Sequence, residues 1–189
     1  MSADRLPPLA AEDWDEAQRA AAQALIAGPR KGVKGPFIPL LRSPELLQRV
    51  QKLGEYLRFS SVLPARVSEF ATLVVARHWT QQFEWAVHVP LARKAGTSPQ
   101  TIAALREGRR PAGMDADEAC VYDFAVELLR HGGVGDASYE AARDRFGERA
   151  VVELTTLIGY FAMVSMVLNV AHTPPEPTDD VEPLPLLPL

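Results

Sequence analysis

Apolar residues recur every three or four positions along most of the chain, which is the spacing of one face of an α-helix. No segment alternates apolar and polar residues as a half-buried strand does, and no Asn-Gly or Asp-Gly hairpin turn occurs. The pattern therefore predicts an all-α fold of seven to eight helices. The predicted helical segments are 13–27, 43–60, 64–79, 81–95, 98–108, 115–130, 138–146 and 148–172.

The segments outside these helices divide the chain into one domain and a tail. Residues 1–172 are long enough to form one helical domain with a substantial core. Residues 28–43 are rich in Gly and Pro, so we interpret them as a connection, and its basic run 30–34 as a solvated loop. Residues 173–189 carry six prolines and cannot be helical. We expect this Pro/Leu-rich tail to lie in a groove of a neighbouring subunit, the alternative being a groove of its own domain.

Charge and composition narrow the classes of partner. The formal net charge of −4 argues against nucleic acid, because phosphate binding depends on clustered Lys and Arg. The start of the chain lacks the pattern of a signal peptide, so a cytoplasmic protein is expected. The most apolar window, 151–170, is interrupted by Glu153, Gly159 and Asn169 and indicates a core helix, not a membrane span. Cys120 is the only cysteine, which excludes an intrachain disulfide.

An internal repeat links the last helix to the middle of the chain. A shift of 84 positions places Val67, Glu69, Thr72, Leu73 and His88 on Val151, Glu153, Thr156, Leu157 and His172. This spacing predicts two similar helical units, each derived from a two-helix repeat, that pack together around a pocket. The second copy lacks the polar middle of the first, so we expect the first copy to keep the chemistry.

The polar residues of the first copy form the candidate site. Gln81, Glu84 and His88 are spaced i, i+3, i+7 and share one helix face, with Trp85 beside them as an apolar wall. A turn near residues 79–80 would bring Glu69 of the preceding helix alongside. Histidine and carboxylates are the usual carriers of protons near neutral pH. The alternatives are a surface pair, a buried structural histidine, or a metal site formed by Glu69, Glu84 and His88.

This pattern resembles a known family. Glu69, Gln81, Glu84 and His88, followed by Ala92 and Ala95-Gly96, are similar to the motif of the carboxymuconolactone decarboxylase family, whose AhpD-like alkylhydroperoxidases carry a Cys-x-x-Cys in the same frame. The resemblance extends from about residue 35 to residue 169. It implies an all-α AhpD-like bundle and a homo-oligomer, either a trimer or a hexamer.

One departure from the family pattern decides between two chemistries. The positions that match the two cysteines of the alkylhydroperoxidases are Gln81 and Glu84 here. Neither can form a thiolate, so thiol peroxidase chemistry is excluded at this site. Glu69 and His88 match the proton-relay positions and are expected to keep that role.

The decarboxylase branch of the family then implies the function. Its members remove carbon dioxide from a lactone of aromatic catabolism without a cofactor, so we expect a lyase that acts on a small carboxylated or lactone substrate, with no metal and no membrane partner. His88 is the expected general acid–base, Glu84 orients it, and Glu69 is a second proton carrier. The expected substrate-binding residues are Arg77, which would hold a carboxylate, and Gln81, Trp85 and Asn169. A metal-dependent enzyme and a non-catalytic binding or assembly protein remain the alternatives.

Overall fold

The computed structural model describes residues 4–175, 178 and 180–186, and these residues form helices and loops with no strand. The all-α prediction is therefore confirmed. A 3-10 turn at Ala11–Asp13 precedes nine α-helices. These are α1 (Glu16–Ala27), α2 (Phe37–Leu40), α3 (Pro44–Phe59), α4 (Ala65–His78), α5 (Gln82–Lys94), α6 (Pro99–Arg106), α7 (Ala116–His131), α8 (Asp136–Phe146) and α9 (Glu148–Ala171).

Local sequence signals explain where several helices begin and end. Asp15 and Asp115 each accept a hydrogen bond from the third residue of the following helix, in reciprocal capping boxes. Ser98 caps α6 in the same way through the backbone N–H of Thr101. Gly132 ends α7 in the left-handed conformation, φ 74°, which glycine adopts without strain.

Helix α2 corrects the prediction of an unbroken connection between residues 28 and 43. It is a single turn that buries Phe37, Pro39 and Leu40 and contacts α3 and α9. Four residues are too few to show a helical period, so the pattern could not reveal it.

Helix α4 lies at the centre of the molecule and contacts α5, α7 and α9. Nine of its fourteen residues are buried, which agrees with its apolar character on more than one face. The functional face of α4 is therefore supported by packed helices, which fixes the position of Glu69.

Helix α9 is the long core helix expected from the sequence. Among the described residues it is the one helix that could cross a membrane by length and composition alone. Twelve of its residues are buried, however, and it packs along α4 and α8. The buried set includes Glu153, a polar residue that has protein partners inside the fold.

The two copies of the internal repeat lie against each other, since α4 packs on α9. The second copy is one uninterrupted helix, in contrast to the α4–α5 hairpin of the first. His172 lies just beyond α9 as its left-handed C-cap, with φ 56°. Glu153 accepts hydrogen bonds from Tyr56 and Ser61 and fastens α9 to the end of α3 and the following loop. The repeated positions therefore serve structure in the second copy.

The described part of the tail lies on its own chain, where the preferred prediction placed it on a neighbouring subunit. Val181 and Leu184 are buried against α4–α6, and side chains of these helices donate hydrogen bonds to tail carbonyl oxygens. The donor–acceptor pairs are Arg77 to Pro185 (2.8 Å), Gln82 to Leu184 (2.8 Å), Trp85 to Glu182 (3.1 Å) and Arg106 to Pro183 (2.9 Å). The described tail therefore takes these hydrogen bonds from helices of its own chain.

Candidate acid–base site

A cavity of about 440 Å³ opens between the residue 29–37 connection, the end of α3, the first half of α5 and the middle of α9. This volume suits a small organic ligand. Its polar lining consists of Arg30, Lys34, Arg58, Glu84, His88 and Tyr160. Its aromatic lining consists of Phe37, Phe59, Phe83 and Phe161.

His88 is held between two carboxylates on two helices. Its Nδ1 lies 2.6 Å from Oε2 of Glu69 on α4, and its Nε2 lies 3.4 Å from Oε2 of Glu84, one turn earlier on α5. The ring of Phe161 meets the imidazole edge to face, with centroids 5.0 Å apart. His88 and Glu84 are buried, and 17% of the Glu69 side chain is exposed. The structure thus brings the three expected catalytic residues together.

These contacts set the protonation of His88. Burial alone would lower the pKa of the imidazole, but the hydrogen bond with Glu69, the longer contact with Glu84 and the charges of both carboxylates outweigh burial, so its pKa is raised above the usual 6.5. His88 therefore stays protonated further into the neutral pH range than a free histidine. A protonated imidazole in an apolar cavity is suited to act as a proton donor.

We expect the Glu69→Gln substitution to lower the pKa of His88, because it removes the charge at the shorter of the two contacts. An NMR titration of the His88 ring measures this shift. Glu45→Gln is the matched control, since Glu45 pairs with Arg49 at the surface. An unchanged His88 pKa in the Glu69 variant would contradict the assigned contact between Glu69 and His88.

The raised pKa of His88 also predicts how the stability of the fold changes with pH. Because the folded-state pKa of His88 is raised, its charged form stabilises the fold fully below the unfolded-state value of about 6.5. This contribution is lost as the pH rises through the folded-state pKa.

Gln81 and Asn169 lie outside the cavity lining, although both were expected to bind substrate. Gln81 is the N-cap of α5, and its amide nitrogen donates to Oδ1 of Asn169 at 2.9 Å. Asn169 in turn donates to the carbonyl oxygen of Trp79 at 3.0 Å. These amides join the α4–α5 turn to α9, so their hydrogen bonds are used within the protein.

Arg77 and Trp85 also differ from their expected positions. Both face the tail, to which their side chains donate hydrogen bonds. Arg77 lies eight residues after Glu69, about 12 Å further along α4, so it cannot serve the same pocket wall. The structure therefore places Arg77 outside the lining of the cavity that contains His88.

Two other arginines occupy the cavity. The Arg30 guanidinium lies 4.5 Å from the centroid of Phe37, and that of Arg58 lies 5.2 Å from the centroid of Phe59. Arg30 belongs to the basic run interpreted as a solvated loop, and that interpretation was wrong for this side chain. Burial lowers the pKa of Arg30, while nearby Tyr160 acts in the opposite direction.

Sequence reasoning missed these arginines and Tyr160 because they lie in three segments that are distant along the chain. One local signal was available at Gly54, in the middle of α3. A Cβ atom there would lie 2.2 Å from the Tyr160 hydroxyl and 2.6 Å from Nη2 of Arg30. The missing side chain leaves room for both groups, but the sequence alone does not say which groups use that room.

The geometry gives no support to a metal bound jointly by Glu69, Glu84 and His88. The two carboxylates face opposite nitrogens of one imidazole ring, so they do not converge with it on a common point. In the part of the chain that the structure describes, no group of three His, Cys, Asp or Glu residues is arranged to hold a metal ion.

Comparison with known proteins shows a family to which this hairpin is similar. The model of the carboxymuconolactone decarboxylase family matches residues 44–127, which include Glu69, Glu84 and His88. Over this segment the chain is similar to the carboxymuconolactone decarboxylase family. Arg30 and Tyr160 lie outside the matched residues. The family match therefore covers His88 and its two carboxylates but only part of the cavity.

A solved structure shows the same fold. The chain is similar, with a TM-score of 0.66 and 20% identity, to a protein of unknown function from Agrobacterium tumefaciens for which a role as the antioxidant defence protein AhpD has been suggested. The match covers 74% of this chain and 96% of that one. No curated protein matches this sequence significantly. The AhpD-like fold is therefore shown.

Proposed function

We propose that this protein is a cofactor-free acid–base enzyme of the lyase class, which removes carbon dioxide from a small carboxylated or lactone substrate of aromatic catabolism. One observation carries the proposal. A buried His88 lies between Glu69 and Glu84 in the wall of a cavity lined by aromatic rings. Because His88 and Glu84 are buried beside a ligand-sized cavity, a non-catalytic protein with a solvent-facing ion pair is disfavoured.

The reaction requires one bond to break and one proton to move. The bond between the substrate carboxylate and its ring carbon breaks, carbon dioxide leaves, and the electron pair remains on that carbon and its conjugated carbonyl. An apolar wall favours this spreading of charge over a localised carboxylate. His88 then gives its proton to the carbon, and the neutral imidazole regains a proton from solvent through Glu69.

The two contacts of His88 divide the roles of the carboxylates. The short Nδ1 contact with Glu69 fixes the ring orientation and stabilises its charge. The 3.4 Å contact of Nε2 with Glu84 is longer than a good hydrogen bond, so Nε2 keeps a proton available to the cavity. Glu84 thus orients and tunes the proton donor.

Thiol peroxidase chemistry has no support at this site. Gln81 and Glu84 replace the thiol pair of the alkylhydroperoxidases. The single cysteine, Cys120, is half-buried on α7 outside the cavity lining, and burial raises the pKa of its thiol. A raised pKa lowers the thiolate fraction on which peroxide reduction depends.

A screen of small ring carboxylates and lactones tests the proposal. Carbon dioxide release is measured for each compound with the wild-type protein, and the His88→Ala protein serves as the paired blank. We expect at least one compound to release carbon dioxide with the wild-type protein only. Equal release by both proteins for every active compound would overturn the role of His88.

The proposal also includes the expected cytoplasmic location and the homo-oligomer, a trimer or a hexamer. Large apolar side chains exposed on α3 and α9 support an assembly, since exposed apolar side chains are often buried at interfaces. They are Leu46, Leu53, Phe59, Val152, Met166 and Val170.

A further inference from the structure

We propose that Arg30 and Arg58, together with the Tyr160 hydroxyl, form a binding subsite for a carboxylate group of the ligand. This inference deepens the proposed function and rests on it for the identity of the reaction, but the subsite can be tested by binding alone. The three residues come from the residue 29–37 connection, α3 and α9, and all line the cavity that contains His88.

Unused hydrogen-bond donors are the first argument. Nε and Nη2 of Arg30 and Nε of Arg58 are buried and have no hydrogen-bond partner among the described residues. A buried donor without an acceptor is costly, and a guanidinium presents its donors in a fork that matches a carboxylate. A ligand carboxylate would supply the missing acceptors.

The balance of charge in the cavity is the second argument. Arg30, Arg58 and His88, whose pKa is raised, line it, whereas Glu84 is the one carboxylate among its described lining residues. Glu69 adds a second negative charge behind His88. The cations therefore exceed the carboxylates, and an anionic ligand would reduce the excess in a site where low polarity strengthens the attraction.

Packing around the arginines is the third argument, because it holds them in place before a ligand binds. Phe37 and Phe59 lie against the two guanidiniums, and Gly54 provides the space that Arg30 and Tyr160 share. The aromatic side chains also provide a flat apolar surface for the body of the ligand. The preferred ligand is thus a ring with an attached carboxylate.

Calorimetric titration with benzoate and benzamide tests the subsite, because the two probes share a ring and differ in charge. We expect wild-type protein to bind benzoate more tightly than benzamide. Arg30→Gln and Arg58→Gln should each weaken benzoate binding about tenfold or more, as expected for the loss of a charge-assisted hydrogen bond, and leave benzamide binding nearly unchanged. Arg109→Gln, which removes an exposed arginine paired with Glu107, is the matched control and should bind benzoate as wild type does.

Two further variants keep the result interpretable. Arg58→Lys should restore part of the benzoate affinity, since it keeps the charge but not the fork. Gly54→Ala should weaken benzoate binding without any change of charge, because the added methyl group must displace Tyr160 and Arg30. Absence of benzoate binding to the wild type, or equal loss of both probes in the folded arginine variants, would overturn the subsite.

The test separates this inference from the proposed reaction. His88→Gln should still bind benzoate more tightly than benzamide, because Arg30 and Arg58 supply the contacts with the carboxylate, although the loss of one positive charge lowers the affinity. Benzoate binding that depends on the arginines, without turnover of any ring carboxylate, would support the subsite and contradict the proposed lyase activity. Turnover that does not change in the Arg30 and Arg58 variants would support the lyase activity and contradict the subsite.

Discussion

The His88→Gln protein is expected to release carbon dioxide about 10²- to 10⁴-fold more slowly than the wild type on a substrate found by the screen, the range typical for loss of a general acid–base. Glutamine is close to histidine in size and can still donate a hydrogen bond to Glu69, but it cannot transfer a proton. The measurement is kcat for carbon dioxide release, with the folded state of the variant checked by its thermal unfolding.

The pH profile of the wild type provides the accompanying test. Because His88 acts in its protonated form, the rate should fall as the pH rises through its raised pKa, and this limb should disappear from the residual rate of His88→Gln. His78→Gln is the control, since His78 is exposed at the end of α4 and does not line the cavity. An alkaline limb that survives in His88→Gln would assign the titrating group elsewhere.

The Glu153→Ala substitution is expected to lower the free energy of unfolding by about 3 kcal/mol, which is typical for breaking a buried ionic network. The carboxylate accepts hydrogen bonds from the hydroxyls of Tyr56 and Ser61, the backbone N–H of Val62 and the guanidinium of Arg149. Removing it leaves these donors without an acceptor. Urea unfolding measures the loss. Glu45→Ala, which breaks an exposed ion pair, should cost no more than about 0.5 kcal/mol.

Unfolding at low pH should also depend on Glu153. Burial would raise the pKa of Glu153, but its hydrogen bonds lower it to about 2, below the usual 4.5. A lowered folded-state pKa means that the contribution is present above pH 4.5 and is lost as the pH falls towards 2. Because solvent screens the exposed Arg149 partner, the contribution of Glu153 to stability is reduced to about 2 kcal/mol. Stability of Glu153→Ala should therefore depend less on pH in this window, and an identical acid limb in both proteins would contradict the assignment.

The predictable part of the site is the part that one helical hairpin contains. The i, i+4 spacing of Glu84 and His88 fixes their contact on α5, and the short turn after His78 returns α5 alongside Glu69. These relations follow from helix geometry over a few residues. The hydrophobic pattern predicts the surrounding helices for the same reason. Only the single turn of α2 is too short to show a helical period.

The cationic part of the cavity was beyond such reasoning. Arg30, Arg58 and Tyr160 meet through the packing of α3 and α9 with an irregular connection, and no periodicity relates the three positions. Arg77 was the expected carboxylate partner. It lies outside the cavity lining and donates a hydrogen bond to the tail, whose position also depends on tertiary packing.

The described tail is held mainly by its main chain, because its carbonyl oxygens accept hydrogen bonds from helix side chains and, of its described apolar side chains, just Val181 and Leu184 are buried. Proline at positions 183 and 185 has no N–H and leaves the acceptors intact. Any residue that tolerates an extended backbone offers the same acceptors. Relatives with little similarity in this segment can therefore retain its path, and the donors on α4–α6 would be the better guide to its presence.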